Sequence, residues 1–248
     1  MEEESKMFPT IHLVLPSYAV FAVIGGIVSF SFLYVRTKIF DIDKLDYIKM
    51  FVICVLFGFL GSRIVYFLSR LTWLANHYSL HNIFSIIIDG GFVYYGGLIG
   101  VLIGVKIYCG IKKLNYLPIK NMIAPAIPLF HAFGRIGCFM AGCCFGSRLE
   151  KPLVVFDTFV LYRVPVQLIE ALFEFILFLI IYVSQKKYEK FDWLKIYLIT
   201  YALFRFVIEF LRGDTIRGII FGISTSQIIS ILFLTYYLIL FLKRKRCE

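Results

Sequence analysis

Three arginines lie inside stretches that are apolar enough to span a bilayer: Arg63, Arg135 and Arg205. A charged side chain at the centre of a membrane helix costs at least about 2.5–3.5 kcal/mol, so such residues are rare and usually face a polar interior. We expect the single acid nearby, Glu209, to leave most of this charge unpaired, because the arginines lie on three separate spans. The sequence therefore predicts a positively charged cavity within the membrane, suited to an anion such as a lipid phosphate.

Polar residues in the sixth apolar stretch repeat at helical spacing. At 100° per residue they fall within an arc of about 80° on one helix face: Tyr201, Arg205, Glu209 and Arg212. A polar stripe on an apolar helix points away from lipid. An ion pair between Arg205 and Glu209 at i, i+4 is the structural alternative, but it leaves Arg212 and the other arginines unexplained.

The fourth apolar stretch combines a charge, a histidine and thiols with closely spaced glycines. His131 lies one turn before Arg135 on the same face, where it is either a hydrogen-bonded core residue or a participant in chemistry. Glycines at 134, 137, 142 and 146 permit close backbone approach or a broken helix, both typical of cavity-lining membrane helices. The third stretch opens at Asp89 with a glycine-rich sequence that includes Gly96 and Gly97, and backbone N–H groups at such a helix start can bind an anion.

The six cysteines stand at positions 54, 109, 138, 143, 144 and 247. The first two fit helix packing, and the last belongs to the basic tail. Cys138, Cys143 and Cys144 cluster near the predicted outer face, where disulfides can persist. Their role stays open between packing, a disulfide from Cys138 to one of the other two, a direct catalytic thiol and a metal site. Zinc would need a fourth ligand such as His131, and C-x4-C-C is not a standard zinc spacing, so we expect no metal and no cofactor.

The composition places these residues in an integral membrane protein. Hydrophobic residues make up 60% of the 248-residue chain, whereas soluble domains contain roughly half. At about 20 residues per span, the sequence predicts an all-α fold of about seven transmembrane helices, in one polytopic domain (1–248) that ends in a basic tail (243–248). The predicted spans are 11–35, 47–69, 93–111, 120–142, 166–185, 195–212 and 225–242.

Lysines and arginines indicate the orientation of these spans. They concentrate in alternate connections, around 36–49, 106–120 and 186–195, and in the tail. By the positive-inside rule these segments are cytoplasmic, which places the N-terminus outside. The net charge of +10 then reflects topology and argues against a nucleic-acid partner. Residues 1–8 are acidic and lack the basic start of a signal peptide.

The predicted outer loops, 70–92, 147–165 and 213–224, are the longer ones. Trp73 and other aromatic and polar residues in the first of them suit a headgroup interface, and we expect His77 and His81 to lie on its surface. We therefore expect chemistry at the outer leaflet.

Five motifs, in the same order, resemble the bacterial phosphatidylglycerol–prolipoprotein diacylglyceryl transferases over essentially the whole chain. They are Ser17-Tyr18-Ala19, the stretch from Gly61 to Tyr66 that contains Arg63, YGGLIG at 95–100, GRIGCFMAGCCFG at 134–146, and Tyr201 through Arg212. The fourth looks like the family signature, and the seven spans with an outside N-terminus are similar to this family as well.

This resemblance implies transfer of the diacylglyceryl group of phosphatidylglycerol to the lipobox cysteine of a preprolipoprotein, with release of glycerol phosphate. The reaction requires a cationic pocket for the departing phosphate and an acceptor thiolate. Arg135 and Arg205 match the family's essential arginines and are our catalytic candidates. By the same resemblance the substrate-binding candidates are Tyr18, Arg63, Gly96, Gly97, Cys138, Gly146, Tyr201, Glu209 and Arg212.

Three positions depart from the family pattern: Tyr95 replaces a histidine, Cys138 an asparagine and Cys143 a glutamate. A phenol with a pKa near 10 is a poor base at neutral pH unless arginines lower that pKa, whereas a thiol needs a smaller shift. Tyr95 and Cys143 are therefore rival candidates for the catalytic base. Because the arginines are retained, the departures bear on the acceptor more than on the lipid donor.

Two alternatives stay open: a related transferase with a different acceptor, and a non-catalytic protein that binds or transports phospholipid. Transporters tend to show internal repeats, and we find none. The partners expected are phosphatidylglycerol or a similar anionic phospholipid, a preprolipoprotein signal peptide and the membrane. The expected location is the bacterial cytoplasmic membrane, with the active site toward the outer leaflet. Tyr18, Tyr95, Arg135, Arg205 and Glu209 should then converge on one cavity that opens laterally to lipid.

Overall fold

The computed structural model describes residues 10–11, 15–40, 42–89, 91–156, 159–188, 191–213, 219–220 and 223–247. Helices dominate this part of the chain, as predicted. In order they are α1 (Ser17–Arg36), α2 (Lys44–Asn76), α3 (Leu80–Asp89), α4 (Tyr94–Lys112), α5 (Tyr116–Ile123), α6 (Ala126–Met140), α7 (Val166–Gln185), α8 (Trp193–Ile208) and α9 (Thr225–Cys247). A 3-10 turn, Glu209–Leu211, extends α8.

Within the described ranges, six segments are long and apolar enough to cross a membrane, which confirms the all-α membrane class. They are Ser17–Arg36, Lys44–Leu71, Tyr94–Lys112, Tyr116–Met140, Val166–Gln185 and Thr225–Lys243. The sixth predicted span, 195–212, corresponds to α8, which has 16 α-helical residues before its geometry tightens to 3-10. Orientation remains a prediction.

The connections contain more regular structure than the sequence suggested. The predicted loop 70–92 is wrong in part, because α2 continues to Asn76 and α3 follows it. The span predicted from residue 11 starts at Ser17, after a short strand pair. In the part of the chain that the structure describes, three antiparallel strand pairs form: β1 (Thr10–Ile11) with β2 (Leu15–Pro16), β3 (Val154–Phe156) with β4 (Phe159–Leu161), and β5 (Ile219–Ile220) with β6 (Ile223–Ser224).

Local sequence signals account for several helix ends. Asp43 caps α2, since its Oδ2 accepts from the backbone N–H of Leu45 at 2.9 Å, and Asp192 caps α8 in the same manner. Such caps satisfy backbone donors that have no partner within the helix. The predicted span 120–142 is divided into α5 and α6 at Ala124–Pro125, where proline has no N–H to continue the helical ladder.

The chain divides into two compact units, which we describe separately. The larger comprises Met1–Leu33 and Asn121–Glu248. In it α6 packs along α7, and α8 packs against α9. Helix α1 meets α6 closely, because a Cβ added at Gly137 would lie 2.9 Å from the Cβ of Phe21 and 3.2 Å from the Cα of Tyr18.

The smaller unit, Tyr34–Lys120, is built on the pairing of α2 with α4. Glycines form this contact: a Cβ added at Gly61 would lie 2.3 Å from the Gly96 carbonyl oxygen, and one added at Gly100 would lie 2.1 Å from the Phe57 carbonyl oxygen. Small residues allow membrane helices to approach this closely. The glycine-rich start of α4 thus has a packing role.

Candidate active site

Two of the predicted arginines share one carboxylate in the larger unit. Glu170 of α7 accepts a hydrogen bond at Oε1 from Arg205 Nη1 of α8 at 2.5 Å, and its Oε2 pairs with Nε of Arg135 on α6. All three side chains are buried. The two guanidinium nitrogens that bind this carboxylate therefore lie within about 7 Å of each other, the width of one carboxylate plus two hydrogen bonds.

The ion pairs continue along the predicted polar stripe. Arg205 Nη2 lies 2.9 Å from Glu209 Oε2 and donates to Ser226 Oγ of α9 at 3.2 Å. Arg212 Nε lies 4.0 Å from the same Glu209 oxygen. The structure confirms the i, i+4 contact expected between Arg205 and Glu209, and it occurs as one link in a longer chain.

The expectation that Glu209 is the only acid near these arginines is wrong. Glu170 binds two of them, because α7 runs beside α6 and presents this carboxylate toward α8. The ion chain contains three arginines and two carboxylates, which leaves an excess of one positive charge. We call it the arginine cluster: Arg135, Glu170, Arg205, Glu209 and Arg212.

A histidine and a tyrosine border the arginine cluster. His131 Nδ1 lies 2.8 Å from Glu174 Oε1, one helical turn beyond Glu170. Its ring meets the Tyr201 ring edge-on, with the centroids 5.4 Å apart. Of the two roles open to His131, the contacts support the hydrogen-bonded core residue. Tyr201 is itself buried, on the inward stripe where the sequence places it.

Tyr18, on α1, also belongs to this unit and lies against α6. Its backbone passes beside Gly137, with only 3.2 Å between the Tyr18 Cα and the position of an added Cβ. Gly137 stands two residues after Arg135 and one before Cys138. The structure thus positions Tyr18 by the same helix that carries Arg135, the first of the two candidate catalytic arginines.

Three thiols meet where α6 ends. The Sγ atoms of Cys138, Cys143 and Cys144 all lie within 4.8 Å of one another, and the three cysteines are free. Cys138 is buried, Cys144 half-buried and Cys143 exposed. Arg135 Nη1 lies 3.8 Å from Cys138 Sγ, so the thiols adjoin the arginine cluster. We call these three residues the thiol cluster.

The two thiols beyond the helix differ in acidity. Hydrogen bonds from Cys138 and Cys143, helped by the charges of Arg135 and Arg212, hold the pKa of Cys144 well below its usual value although burial opposes this. The hydrogen bond with Cys138 favours the Cys143 thiolate, but the bond with Cys144 and burial outweigh it and raise the pKa of Cys143 to about 11. The sequence left Tyr95 and Cys143 as rival candidates for the base, whereas these contacts favour Cys144 as the thiolate among the two thiols.

Backbone hydrogen bonds tie the chain after the thiols to the end of the sixth predicted span. Ser147 N–H donates to the Leu211 carbonyl at 2.8 Å, and Gly213 N–H donates to the Phe145 carbonyl at 3.1 Å. Gly146 lies between them, and a Cβ there would come within 2.4 Å of the Val164 carbonyl oxygen. The structure gives Gly146 a packing role, and its predicted contact with substrate stays a prediction.

Four predicted site residues lie in the smaller unit. Tyr95 and Gly96 are buried, and Gly97 is half-buried beside α2. The Arg63 guanidinium lies over the Phe92 ring, 4.9 Å from its centroid, and over the Phe59 ring at 5.6 Å. Cation–π contacts of this kind stabilise a charge at an apolar depth. A cavity shared by Tyr95 or Arg63 with the arginine cluster remains a prediction.

Sequence reasoning missed the roles of Glu170, Glu174 and Cys144. A signal for the first two was present, because two glutamates spaced i, i+4 interrupt an otherwise apolar span and fall on one helix face. Carboxylates within a membrane span are as costly as arginines, so they indicate a cationic partner. No comparable signal distinguishes Cys144 from Cys143.

Comparisons with known proteins agree with the resemblance. The profile of the family described as "Prolipoprotein diacylglyceryl transferase" matches residues 6–243. The chain is 29% identical over 232 residues to the phosphatidylglycerol–prolipoprotein diacylglyceryl transferase of Clostridium tetani, covering 91% of each chain. It is 36% identical over 191 residues to a second enzyme of that name from Clostridium perfringens, covering 74% of this chain and 73% of the other. Over 198 residues it is 35% identical to the Campylobacter lari enzyme, covering 72% of each. This chain belongs to the prolipoprotein diacylglyceryl transferase family, and it is a transferase.

Proposed function

We propose that this transferase moves the diacylglyceryl group of phosphatidylglycerol onto the lipobox cysteine of a prolipoprotein. A thioether forms and glycerol phosphate leaves. The names of the relatives support the donor and the acceptor, and the arginine cluster supports the chemistry.

One observation carries the proposal. Two arginines lie side by side, and one of them has a buried N–H donor that can bind a ligand. Arg135 and Arg205 both bind Glu170, so one phosphate can contact both guanidinium groups. Among the residues that the structure describes, Arg135 Nη2 is a buried nitrogen with no hydrogen-bond partner. Leaving a buried donor unsatisfied is costly. A phosphate oxygen would satisfy it.

The net charge of the arginine cluster suits both the bound donor and the leaving glycerol phosphate. The excess of one positive charge matches the single negative charge of a phosphodiester. As the bond between the glyceryl carbon and the phosphate oxygen breaks, the leaving glycerol phosphate gains negative charge. Arginines already held in place stabilise that developing charge more than they stabilise the bound donor, and such differential stabilisation accelerates a reaction.

Other residues of the larger unit have supporting roles in this proposal. Arg212 and Glu209 extend the ion chain that orients Arg205. Tyr18 and Tyr201 would contact the donor or the acceptor. In the smaller unit, Tyr95 and Arg63 would contact substrate. Gly96 and Gly97 would admit the headgroup at the start of α4.

The setting follows from the six candidate spans and the basic connections. We place the enzyme in the bacterial cytoplasmic membrane, with the thiol cluster and the loop 147–165 at the outer face. Lys112, Lys113 and Lys186 would then lie at the cytoplasmic face. Donor lipid would arrive by lateral diffusion in the outer leaflet.

Arginine variants test the proposal directly. Purified enzyme in vesicles that contain phosphatidylglycerol labelled in its acyl chains is mixed with a lipobox peptide. Arg135→Gln and Arg205→Gln should lower transfer at least about 100-fold, the usual loss when one preorganised donor to a developing charge is removed. Arg148→Gln is the matched control, because Arg148 is exposed.

The assay also separates the alternatives. Full activity in both arginine variants would contradict the proposed phosphate site. Release of glycerol phosphate without labelling of the peptide would indicate a different acceptor. Lipid binding with neither product would indicate a non-catalytic protein.

A further inference from the structure

The turn that ends α6 brings its three cysteines together for a definable reason. Cys143 N–H donates to the Cys138 carbonyl at 3.1 Å and Gly142 N–H donates to the Phe139 carbonyl at 3.1 Å, while Gly142 has φ 67. These bonds and the left-handed glycine form a Schellman motif, in which the second residue beyond the helix packs on the helix's last turn. Here those two positions are Cys143 and Cys138, so the motif itself places one thiol on the other.

Cys144 is turned back toward the same point. Its φ of 59 lies in the left-handed region, which few residues other than glycine, asparagine and aspartate adopt. Gln167 of α7 also holds the turn, since its Nε2 donates to the Cys143 carbonyl at 2.6 Å. The result is three sulfur atoms within 4.8 Å of one another, attached to a braced turn.

Three convergent thiolates form a ligand set for a soft metal ion. In a tetrahedral zinc site with Zn–S bonds of about 2.3 Å, neighbouring sulfurs lie about 3.8 Å apart, so the thiol cluster needs to contract by an ångström or less. Three protein ligands leave the fourth position open, as in zinc sites that do chemistry. Exposure of Cys143 leaves a face of the cluster accessible. His131 is not part of this set, because the converging ligand atoms found among the described residues belong to Cys138, Cys143 and Cys144.

Two arginines lie close enough to offset part of the charge of such a site. Zinc with four thiolates carries two negative charges in excess. Arg135 lies against the cluster, with Nη1 at 3.8 Å from Cys138 Sγ. Arg212 is held near the same turn, where its backbone pairs with Gly146.

We propose that Cys138, Cys143 and Cys144 bind one Zn²⁺, whose open position takes the acceptor cysteine as a thiolate. This inference rests on the proposed function and replaces the expectation that no metal takes part. A thiol bound to zinc loses its proton, so the site does the work of a general base, and that proton passes to water. The catalytic candidate Cys143 becomes a ligand.

The transfer step then balances. The zinc-bound sulfur uses a lone pair to form a C–S bond with the glyceryl carbon, and the C–O bond to the phosphate breaks. The bonding electrons leave with the oxygen of glycerol phosphate, which Arg135 and Arg205 bind. The product is a neutral thioether, a weaker zinc ligand than a thiolate, so it dissociates and frees the fourth position. Arg135 touches both Glu170 and Cys138, which places the nucleophile beside the phosphate site.

Metal content and cobalt spectroscopy of the full-length protein test the inference. We expect one zinc per chain. After replacement by Co²⁺, the spectrum should show thiolate-to-cobalt charge transfer and the strong visible bands of tetrahedral cobalt. Adding a lipobox peptide should change these bands, and the same peptide with serine for cysteine should not. This experiment on the unmodified protein does not depend on how variants fold.

Variants identify the ligands. Cys143→Ser and Cys144→Ser should weaken zinc binding by more than about 100-fold, since even residues that only support metal ligands contribute 10–100-fold. Cys54→Ser is the matched control, a thiol of the smaller unit outside the cluster. Two results would overturn the inference. One is a disulfide within the thiol cluster of protein purified with its native metal content. The other is an amount of zinc per chain that does not change in the variants.

The zinc inference and the proposed function fail in different ways. Full-rate transfer by zinc-free protein would overturn the zinc inference and leave the function intact. The opposite outcome would combine two results. The cobalt-loaded protein would bind the peptide thiol, and the zinc-loaded protein would transfer nothing from phosphatidylglycerol. That outcome would refute the function and leave the metal site intact.

Discussion

Glu170 is the residue whose loss should reveal most about the arginine cluster, and Glu170→Gln is the variant we would make first. Its carboxylate binds Arg205 at Oε1 and Arg135 at Oε2, and the side chain is fully enclosed. An amide can accept from one arginine but presents its N–H₂ group to the other. The substitution also raises the excess charge of the cluster from one to two.

The magnitude follows from the contacts that remain. Removing one partner of a buried ion pair costs about 3–5 kcal/mol. Arg205 retains Glu209 at 2.9 Å, so the loss falls mainly on Arg135, and we expect about 3 kcal/mol in the free energy of unfolding. Loosening Arg135 should also lower kcat/KM about 100-fold, comparable to the loss of one preorganised donor.

Glu174→Gln is the matched control for this experiment. Glu174 is on the same helix, one turn later and equally buried, but its hydrogen bond goes to His131. Transfer rate and thermal unfolding would be measured for both variants in the same vesicles. If Glu170→Gln keeps the full rate, or if the two variants lose the same amount, then Glu170 does not position the arginines and our reasoning is refuted.

Three further variants test how neighbouring elements position the site. Gly137→Ala should push α1 and Tyr18 away from α6 and lower activity at least about tenfold. Gly134→Ala has open space around its added Cβ, so its stability should stay within about 1 kcal/mol of the parent. If the two variants lose the same activity, this packing is contradicted. Gly96→Ala should destabilise the α2–α4 pair by about 1–3 kcal/mol through overpacking. Gly97→Ala should not, because the nearest atom to its added Cβ lies at 3.4 Å. Unfolding in detergent measures both variants, and comparable stabilities would show that the α2–α4 contact at Gly96 is not tight. Tyr95→Phe should raise KM for the peptide or the lipid without abolishing turnover, since we assign thiol activation to zinc; complete loss of kcat across the pH range would return the role of base to Tyr95.

The sequence was sufficient for the membrane class and for the inward stripe on α8. Charged side chains in an apolar helix almost always face the protein interior and pair with one another. The ion pair between Arg205 and Glu209 could therefore be predicted from their spacing. The partner of Arg135 could not be deduced in the same way, because it lies on α7, and which faces of α6 and α7 meet depends on packing between helices.

Boundaries and turns were less predictable for local reasons. Length and hydropathy do not distinguish a full span from α8, which has 16 α-helical residues and a 3-10 turn. The C-x4-C-C spacing resembles no standard metal motif. The thiols converge only because Gly142 closes a Schellman turn and Cys144 adopts a left-handed φ, and a backbone conformation of that kind is not visible in the order of residues.

At this site, a diacylglyceryl group should pass from phosphatidylglycerol to a cysteine sulfur. Mass spectrometry of a lipobox peptide incubated with the enzyme and phosphatidylglycerol tests it most directly, together with measurement of glycerol phosphate. We expect a peptide heavier by one diacylglyceryl group, attached to sulfur through a thioether, and an equal amount of glycerol phosphate. An unmodified peptide after incubation with active-site-intact, zinc-loaded enzyme would contradict it.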